Sequence, residues 1–370
     1  VATDLAAVAL EIKRRARDAG LDAVGIAPGD PFHRAQRVLT ERKAAGLHGG
    51  MQFTYRNPGR ATDPGRALPG ARAIVVGARR YRRRPPAAGR PANAARVAAY
   101  SWVDHYAPLR AALREATAPL VDAGWHTRVL VDDNALVDRE AAYLAGLGWF
   151  GKNANVLIPG VGSWVVLGSV VTDAPLPPDA APVADGCGPC TRCLPACPTG
   201  ALVAPGVLDA RRCLAWLLEA PGDFPLEFRA ALGDRIYGCD ECQEVCPPNK
   251  AAERRTPPDR ATPEDEPWVD VVAMLAFDDA ALLARFGRWY VAERDARYLR
   301  RNALVVLGNV GDGAAPAVEH ALKHALASDD DLVREHAGWA ASRLGRADLL
   351  GPSNGSHVNA SPINGGAVVA

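Results

Sequence analysis

The chain has 370 residues, of which 48% are hydrophobic and 23% charged. That balance suits two or three folded units and excludes a disordered, collagen-like or small disulfide-stapled chain. With 43 Lys and Arg against 42 Asp and Glu, the net charge is +1, so a nucleic-acid surface would have to be local.

Leu5 to Ala19 reads as an amphipathic helix, with Leu5, Val8, Ile12, Ala16 and Ala19 on one side and Gly20 closing it. Its basic residues follow the apolar pattern instead of preceding it, unlike a signal peptide, so a cytoplasmic protein is expected. Ala23–Ala27 and Ala73–Ala78 read as strands, Ala107–Val121 as a helix, and Thr127–Val131 as a strand that delivers Asp132 at its end. A helix from about Val137 to Leu147 follows, and Trp164–Thr172 reads as a strand. The most apolar run, Trp164–Val171, is about eight residues where a spanning helix needs roughly 20, so no membrane span is expected. The expected architecture is an α/β region over 1–180, a cysteine-rich domain over 181–250, a helical domain over 251–350 and a disordered tail over 351–370. Residues 174–186 and 249–267 read as linkers. Ala303 and Gly311 lie 34 residues before Ala337 and Gly345, a period that suits stacked HEAT-like helix pairs or two ordinary helices of one bundle.

All eight cysteines lie between Cys187 and Cys246, and a reducing compartment argues against disulfides. Cys187, Cys190, Cys193 and Cys197-Pro198 have the C-x2-C-x2-C-x3-C-P spacing that winds a loop around an iron–sulfur cube and sends the fourth thiolate to another cluster. Cys239, Cys242 and Cys246-Pro247 lack a first member, which Cys213 can supply. Two [4Fe–4S] clusters are therefore expected: one on Cys187, Cys190, Cys193 and Cys246, the other on Cys213, Cys239, Cys242 and Cys197. Zinc also accepts four thiolates, but its usual paired C-x2-C spacing has no use for the longer run.

Four segments resemble the epoxyqueuosine reductases: VDDNALVDREAAYLAGLGWFGKN (131–153), GSWVVLGSVVTD (162–173), CGPCTRCLPACPTGALVAPGVLDARRC (187–213) and GDRIYGCDECQEVCPPNK (233–250). The resemblance implies reduction of the epoxide of epoxyqueuosine at the wobble position of tRNA. It also implies cobalamin held by the N-terminal region without a protein axial ligand, electrons from a flavodoxin- or ferredoxin-type donor, and C-terminal helical repeats beside the anticodon stem. It makes Asp132 the proton donor and carries over Tyr55, Lys152, Asn153, Val156 and Leu167 as corrin contacts. Arg139 matches a family arginine and equally suits a surface salt bridge. No D-x-H-x-x-G run is present, which suits a cobalt that lacks a histidine ligand and equally a protein that holds no corrinoid; only the resemblance chooses between them. A monomer is expected.

The chain departs from the family in reading Asp132-Asp133-Asn134, which adds a carboxylate next to the proposed acid, although adjacent extended residues point apart. It also reads Asp104-His105-Tyr106 where D-Y-H is usual, leaving His105 open between a structural and a catalytic role. Arg79 to Arg90 holds six arginines around Tyr81, a pattern that suits phosphate contact and base stacking, and Arg285 to Arg301 is a second basic run.

Overall fold

The structure is a computed structural model and describes residues 4–179 and 183–351. Asp4 opens α1 (Leu5–Asp18) by accepting the Ala6 and Ala7 amides at 3.0 and 3.2 Å, and the helix buries Ala9, Ile12 and Ala16. Next come β1 (Ala23–Pro28), α2 (His33–Ala44) and three single-turn helices, α3 (Phe53–Arg56), α4 (Pro58–Ala61) and α5 (Pro64–Ala67). They lead to β2 (Ala73–Arg80), β3 (Ala94–Val97), α6 (Tyr106–Asp122) and β4 (Thr127–Val131). After α7 (Asp138–Leu144), which is shorter than expected, the chain forms the hairpin β5 (Trp149–Phe150) and β6 (Val156–Leu157), then β7 (Val165–Thr172).

The main sheet has the order β1-β2-β7-β4, and every neighbouring pair is antiparallel. Helix and strand are mixed as expected, but their alternation does not encode strand direction. Side chains of β2 alternate between faces. Ala73 and Val75 join the core that contains Ile12, Leu109 and Leu113. Ile74, Val76 and Ala78 join the one that contains Ala141 and Ala142 of α7. Cover on both faces explains why β2 and β7 are nearly continuous apolar runs.

The cysteine region carries α8 (Cys193–Ala196), the hairpin β8 (Leu202–Ala204) and β9 (Val207–Leu208), α9 (Leu214–Glu219) and α10 (Leu226–Leu232). It continues with β10 (Arg235–Tyr237), α11 (Glu241–Glu244) and α12 (Pro247–Arg255). Helix α12 occupies the first part of the expected 249–267 linker, because Pro247 at the helix start needs no amide partner there. The first linker is also partly tied down: Asp179 accepts the Ile26 amide at 2.8 Å and pairs with Lys13. β11 (Trp268–Asp270) precedes α13 (Val271–Ala276), α14 (Asp279–Phe286), α15 (Ala296–Val310), α16 (Pro316–Leu326) and α17 (Asp331–Arg343). β3 pairs with β10 in parallel and with β11 antiparallel, so this small sheet draws a strand from each of the three expected domains. The repeated segments fall on α15 and α17, which pack together with Ala303 and Ala337 fully buried. No helix among the described residues is long and apolar enough to cross a membrane. The expected tail beyond Gly351 lies outside the described residues.

Tertiary packing changes the reading of both basic runs. Tyr81 is buried, hydrogen-bonded with Gln243, and lines a cavity, so it is not a surface platform for a base. Arg82 lies over the Trp164 ring and pairs with Glu244 and Glu253, Arg83 pairs with Asp265, and Arg90 pairs with Asp234. In the second run, Arg285 and Arg288 share Glu266, and Arg301 is wholly buried. Among the described residues, Arg79 and Arg84 have no carboxylate partner, and Arg84 is exposed.

Candidate active site

None of the eight cysteines is in a disulfide. Cys187, Cys190, Cys193 and Cys246 line a small cavity of about 70 Å³. Cys197, Cys213, Cys239 and Cys242 line a larger one of about 500 Å³. Electrostatics divides the thiols in the same way. Burial, and then Cys187, Cys193 and Cys190, push Cys246 up to about 11, against an opposing amide from Asn249. Burial raises Cys242 well above the ordinary thiol range, and Cys239, Cys213 and Cys197 add to it. Cys197 differs. Burial raises it, but amides of Thr199 and Ala201 and the Thr199 hydroxyl more than offset that and bring it below the usual value. Four thiolates this close repel one another unless cations sit among them, and a set of four sulfurs fits a [4Fe–4S] cube.

Local structure explains how thiols so far apart in sequence converge. Cys213 is the N-cap of α9, and Cys246 is the N-cap of α12. Cys239 follows Gly238, whose φ is +69° and where an added Cβ would lie 2.5 Å from the Ala98 Cβ. Only glycine allows that turn to press against the strand end. The turn at 151–155 bridges the two sets. Lys152 Nζ donates to the Gly188 carbonyl at 2.7 Å, inside the first cysteine loop. Asn153 Nδ2 reaches the Cys242 carbonyl at 3.5 Å, and Asn153 lines both cavities.

Val156 and Leu167 line the larger cavity with Leu202, Leu208 and Leu214, while Asn153, Asn155 and Arg139 add polar groups. No histidine is among its lining residues. A partly aliphatic wall beside amide and guanidinium groups fits a flat macrocycle whose edge carries amides, and the volume lies in the ordinary range for ligand sites. Lys152 lines only the smaller cavity. Tyr55 lines neither; it sits on the single-turn α3 with its ring 5.6 Å from that of His48.

Asp132 directly follows β4 and lines the larger cavity. Its φ of +52° is in the left-handed region, a conformation costing a non-glycine residue roughly 1–3 kcal/mol. Arg110 braces the strand end by donating to the Val131 carbonyl at 3.0 Å. Burial raises the Asp132 pKa, Arg110 opposes the shift, and Asp104 and Asp133 add to it. Asp133 is engaged elsewhere, accepting the Ala135 amide at 2.8 Å, and does not line the cavity. In the altered Asp104-His105-Tyr106 segment it is Tyr106 that lines the cavity. His105 is 6% exposed, off the cavity, and pulled down to about 4 by burial and then by Arg83.

Residues 186–249 match the family model of a 4Fe-4S double cluster binding domain. The epoxyqueuosine reductase of Xanthomonas campestris pv. campestris is 36% identical over 356 residues, covering 93% of this chain and 97% of the relative. The chain belongs to the epoxyqueuosine reductase family. A crystal structure of an epoxyqueuosine reductase with a tRNA-Tyr epoxyqueuosine-modified stem loop superposes with a TM-score of 0.83 at 32% identity, covering 92% of this chain and 91% of that one. The Bacillus subtilis epoxyqueuosine reductase, in a structure with its aspartate-bearing catalytic loop swung out of the active site, gives 0.82 at 30% identity, covering 94% and 93%.

Two acids of this family member escape a reading of the sequence. Asp138 and Glu219 both line the larger cavity. Asp138 looks like an ordinary acidic first turn of α7, and Glu219 like an ordinary last residue of α9. Burial pushes each up to about 8, against a hydrogen bond from Ser169 in one case and from Tyr237 in the other. No spacing signal marks them, because their common feature is a cavity assembled from distant elements.

Proposed function

We propose that this protein reduces the epoxide of epoxyqueuosine in tRNA to the alkene of queuosine, with Asp132 as proton donor. One observation carries the reading: a set of four thiols lines the cavity on whose wall Asp132 sits with a raised pKa, and a second set of four lines a smaller cavity that shares Asn153 with it. Cys187, Cys190, Cys193 and Cys246 would hold one [4Fe–4S] cluster, and Cys197, Cys213, Cys239 and Cys242 the other. Val156, Leu167 and Asn153 would hold a corrinoid in the larger cavity. When bound, the clusters carry single electrons and the corrinoid supplies a strongly reducing cobalt.

The chain's own groups prepare the site for proton transfer. Asp132 sits on a loop between a strand end braced by Arg110 and the start of α7. Partial burial raises its pKa above the ordinary carboxylate value, the direction a general acid requires. Leu202, Leu208 and Leu214 make part of the cavity wall apolar. Lys152 and Asn153 tie the cavity floor to both cysteine loops, keeping the two sets of thiols in register with it. The helices after β11 would support the anticodon stem, with Arg84 free to meet a phosphate. A flavodoxin- or ferredoxin-type protein would deliver the electrons.

The test is conversion of epoxyqueuosine-containing tRNA by anaerobically reconstituted, reduced protein, with iron and cobalt measured on the same sample. Asp132→Asn is expected to lower turnover by about 100-fold or more with metal content unchanged. Absence of product from fully loaded wild-type protein, or full activity in the variant, would refute the assignment.

A further inference from the structure

Turning an epoxide into an alkene takes two electrons and two protons. Both carbon–oxygen bonds of the ring break, a carbon–carbon double bond forms, and the oxygen leaves as water. Asp132 accounts for one proton, so the site needs a source for the other. Besides Asp132, the larger cavity is lined by Asp138, Glu219, Asp240 and Glu241. The last two are adjacent to cysteines, and Glu219 stands on α9 in the cysteine region.

Asp138 has the features of a fixed proton store. It is the first residue of α7, at the end of the loop that begins with Asp132. Its Oδ1 accepts a hydrogen bond from Ser169 Oγ at 3.1 Å. Ser169 is fully buried in β7, a strand that is otherwise Val, Leu and Gly until its closing Thr172, and Asp138 is the only described partner of its hydroxyl. A hydroxyl buried in such a strand must find a partner, and here it anchors a carboxyl at the cavity wall. No described donor meets Asp138 Oδ2. The charged groups around it come from several elements. Asp132 and Asp133 on the preceding loop disfavour its ionised form, and Arg139 beside it on α7 favours it. Tyr106 of α6 and Glu219 of α9 share the same field. Burial is the largest influence and pushes its pKa up to about 8.

The geometry points to Asp138 as the holder of the second proton, passed to Asp132 once Asp132 has given up its own; this rests on the epoxide reduction proposed above. Asp132 faces the cavity from a loop with a strained backbone, whereas the sheet holds Asp138 in place. The electrons come from an external one-electron donor, dithionite or a reduced flavodoxin-type protein, so the reaction balances without another reactant.

Asp138→Asn keeps the acceptor for Ser169 and removes the proton. Infrared difference spectra of wild type against this variant should show a protonated carboxylic-acid carbonyl band at pH 7 that disappears as pH rises through about 8. This measurement needs no turnover. In single-turnover assays with epoxyqueuosine-containing tRNA, the variant should be slower by at least about 10-fold and should lose the alkaline limb of the wild-type pH profile. Ser169→Ala removes a hydrogen bond that favours the carboxylate, so it should move that limb to higher pH. Absence of the band overturns the proposal, as does a variant that matches wild type in rate and profile while wild type makes product. A wild type that shows the band but makes no product overturns the reaction itself, and the relay with it.

Discussion

Replacing Arg301 by methionine removes a guanidinium that no water touches. In the folded chain, Arg301 of α15 donates to the carbonyls of Leu217, Leu218, Ala220 and Gly222 at 2.6–3.3 Å, and so closes the C-terminal end of α9. Helix α9 is capped at its start by Cys213 and ends at Glu219, so this bond set ties the helical region to the Cys213 thiol and to the cavity wall. Leu218 keeps a second donor, Asn302 Nδ2 at 2.8 Å, and the exposed Gly222 can turn to water. The Leu217 and Ala220 carbonyls and the buried Asn302 Oδ1, which also accepts from Arg301, lose their donor. Each unsatisfied acceptor costs about 1–3 kcal/mol. The variant also escapes the burial penalty that pulls the arginine down from 12.5 to about 10, which returns about 3 kcal/mol. The net loss is then about 3 kcal/mol, or roughly 6–12 °C in melting temperature for a cooperative unit of roughly 150–250 residues. Melting of anaerobically reconstituted protein, followed by tryptophan fluorescence with iron assayed after desalting, measures both consequences. The expected result is a lower midpoint with preferential loss of the cluster that uses Cys213. A midpoint within about 1 °C of wild type with all iron retained would refute the reasoning.

Cys242→Ser and Cys197→Ser should lose the same cluster, and Cys246→Ser and Cys190→Ser the other, with iron falling from about eight to about four atoms per chain in each; loss of different clusters within a pair would break the partition. The pKa of His105 is depressed in the fold to about 4 from 6.5, so its contribution is complete above 6.5. It is lost as pH falls towards 4, because the unfolded chain takes up the proton first, and the loss amounts to about 3 kcal/mol. His105→Gln should therefore narrow the difference in melting temperature between pH 7 and pH 4.5, and an unchanged gap would count against it. Replacing both Arg79 and Arg84 by glutamate should weaken binding of the tRNA and flatten its salt dependence, measured by titration at several ionic strengths. Unchanged affinity and slope would remove this surface from the interface.

Much of the site can be read along the chain. The strand that ends at Val131 places Asp132, and the cysteine spacings delimit two thiol sets, because both features depend on a few neighbouring residues. The basic runs mislead for the opposite reason. Arg83 looks free until Asp265 is folded against it, and Tyr81 looks like a surface aromatic until Gln243 closes over it. Their partners lie 182 and 162 residues away, beyond the reach of any local pattern.

The sequence by itself determined α1, β1, β2, α6, β4, α7 and β7 of the N-terminal region, the absence of any apolar run long enough to span a membrane, and the grouping of thiols by spacing. All of these depend on periodicity or on the reach of a short loop. Tertiary structure alone decided the antiparallel order of the main sheet, the burial of Arg301, and the meeting of Asp132, Asp138 and Glu219 on one cavity wall. An acid acquires an unusual proton affinity only when distant elements exclude water from it. That desolvation is a property of the packed assembly and leaves no mark in the spacing of residues.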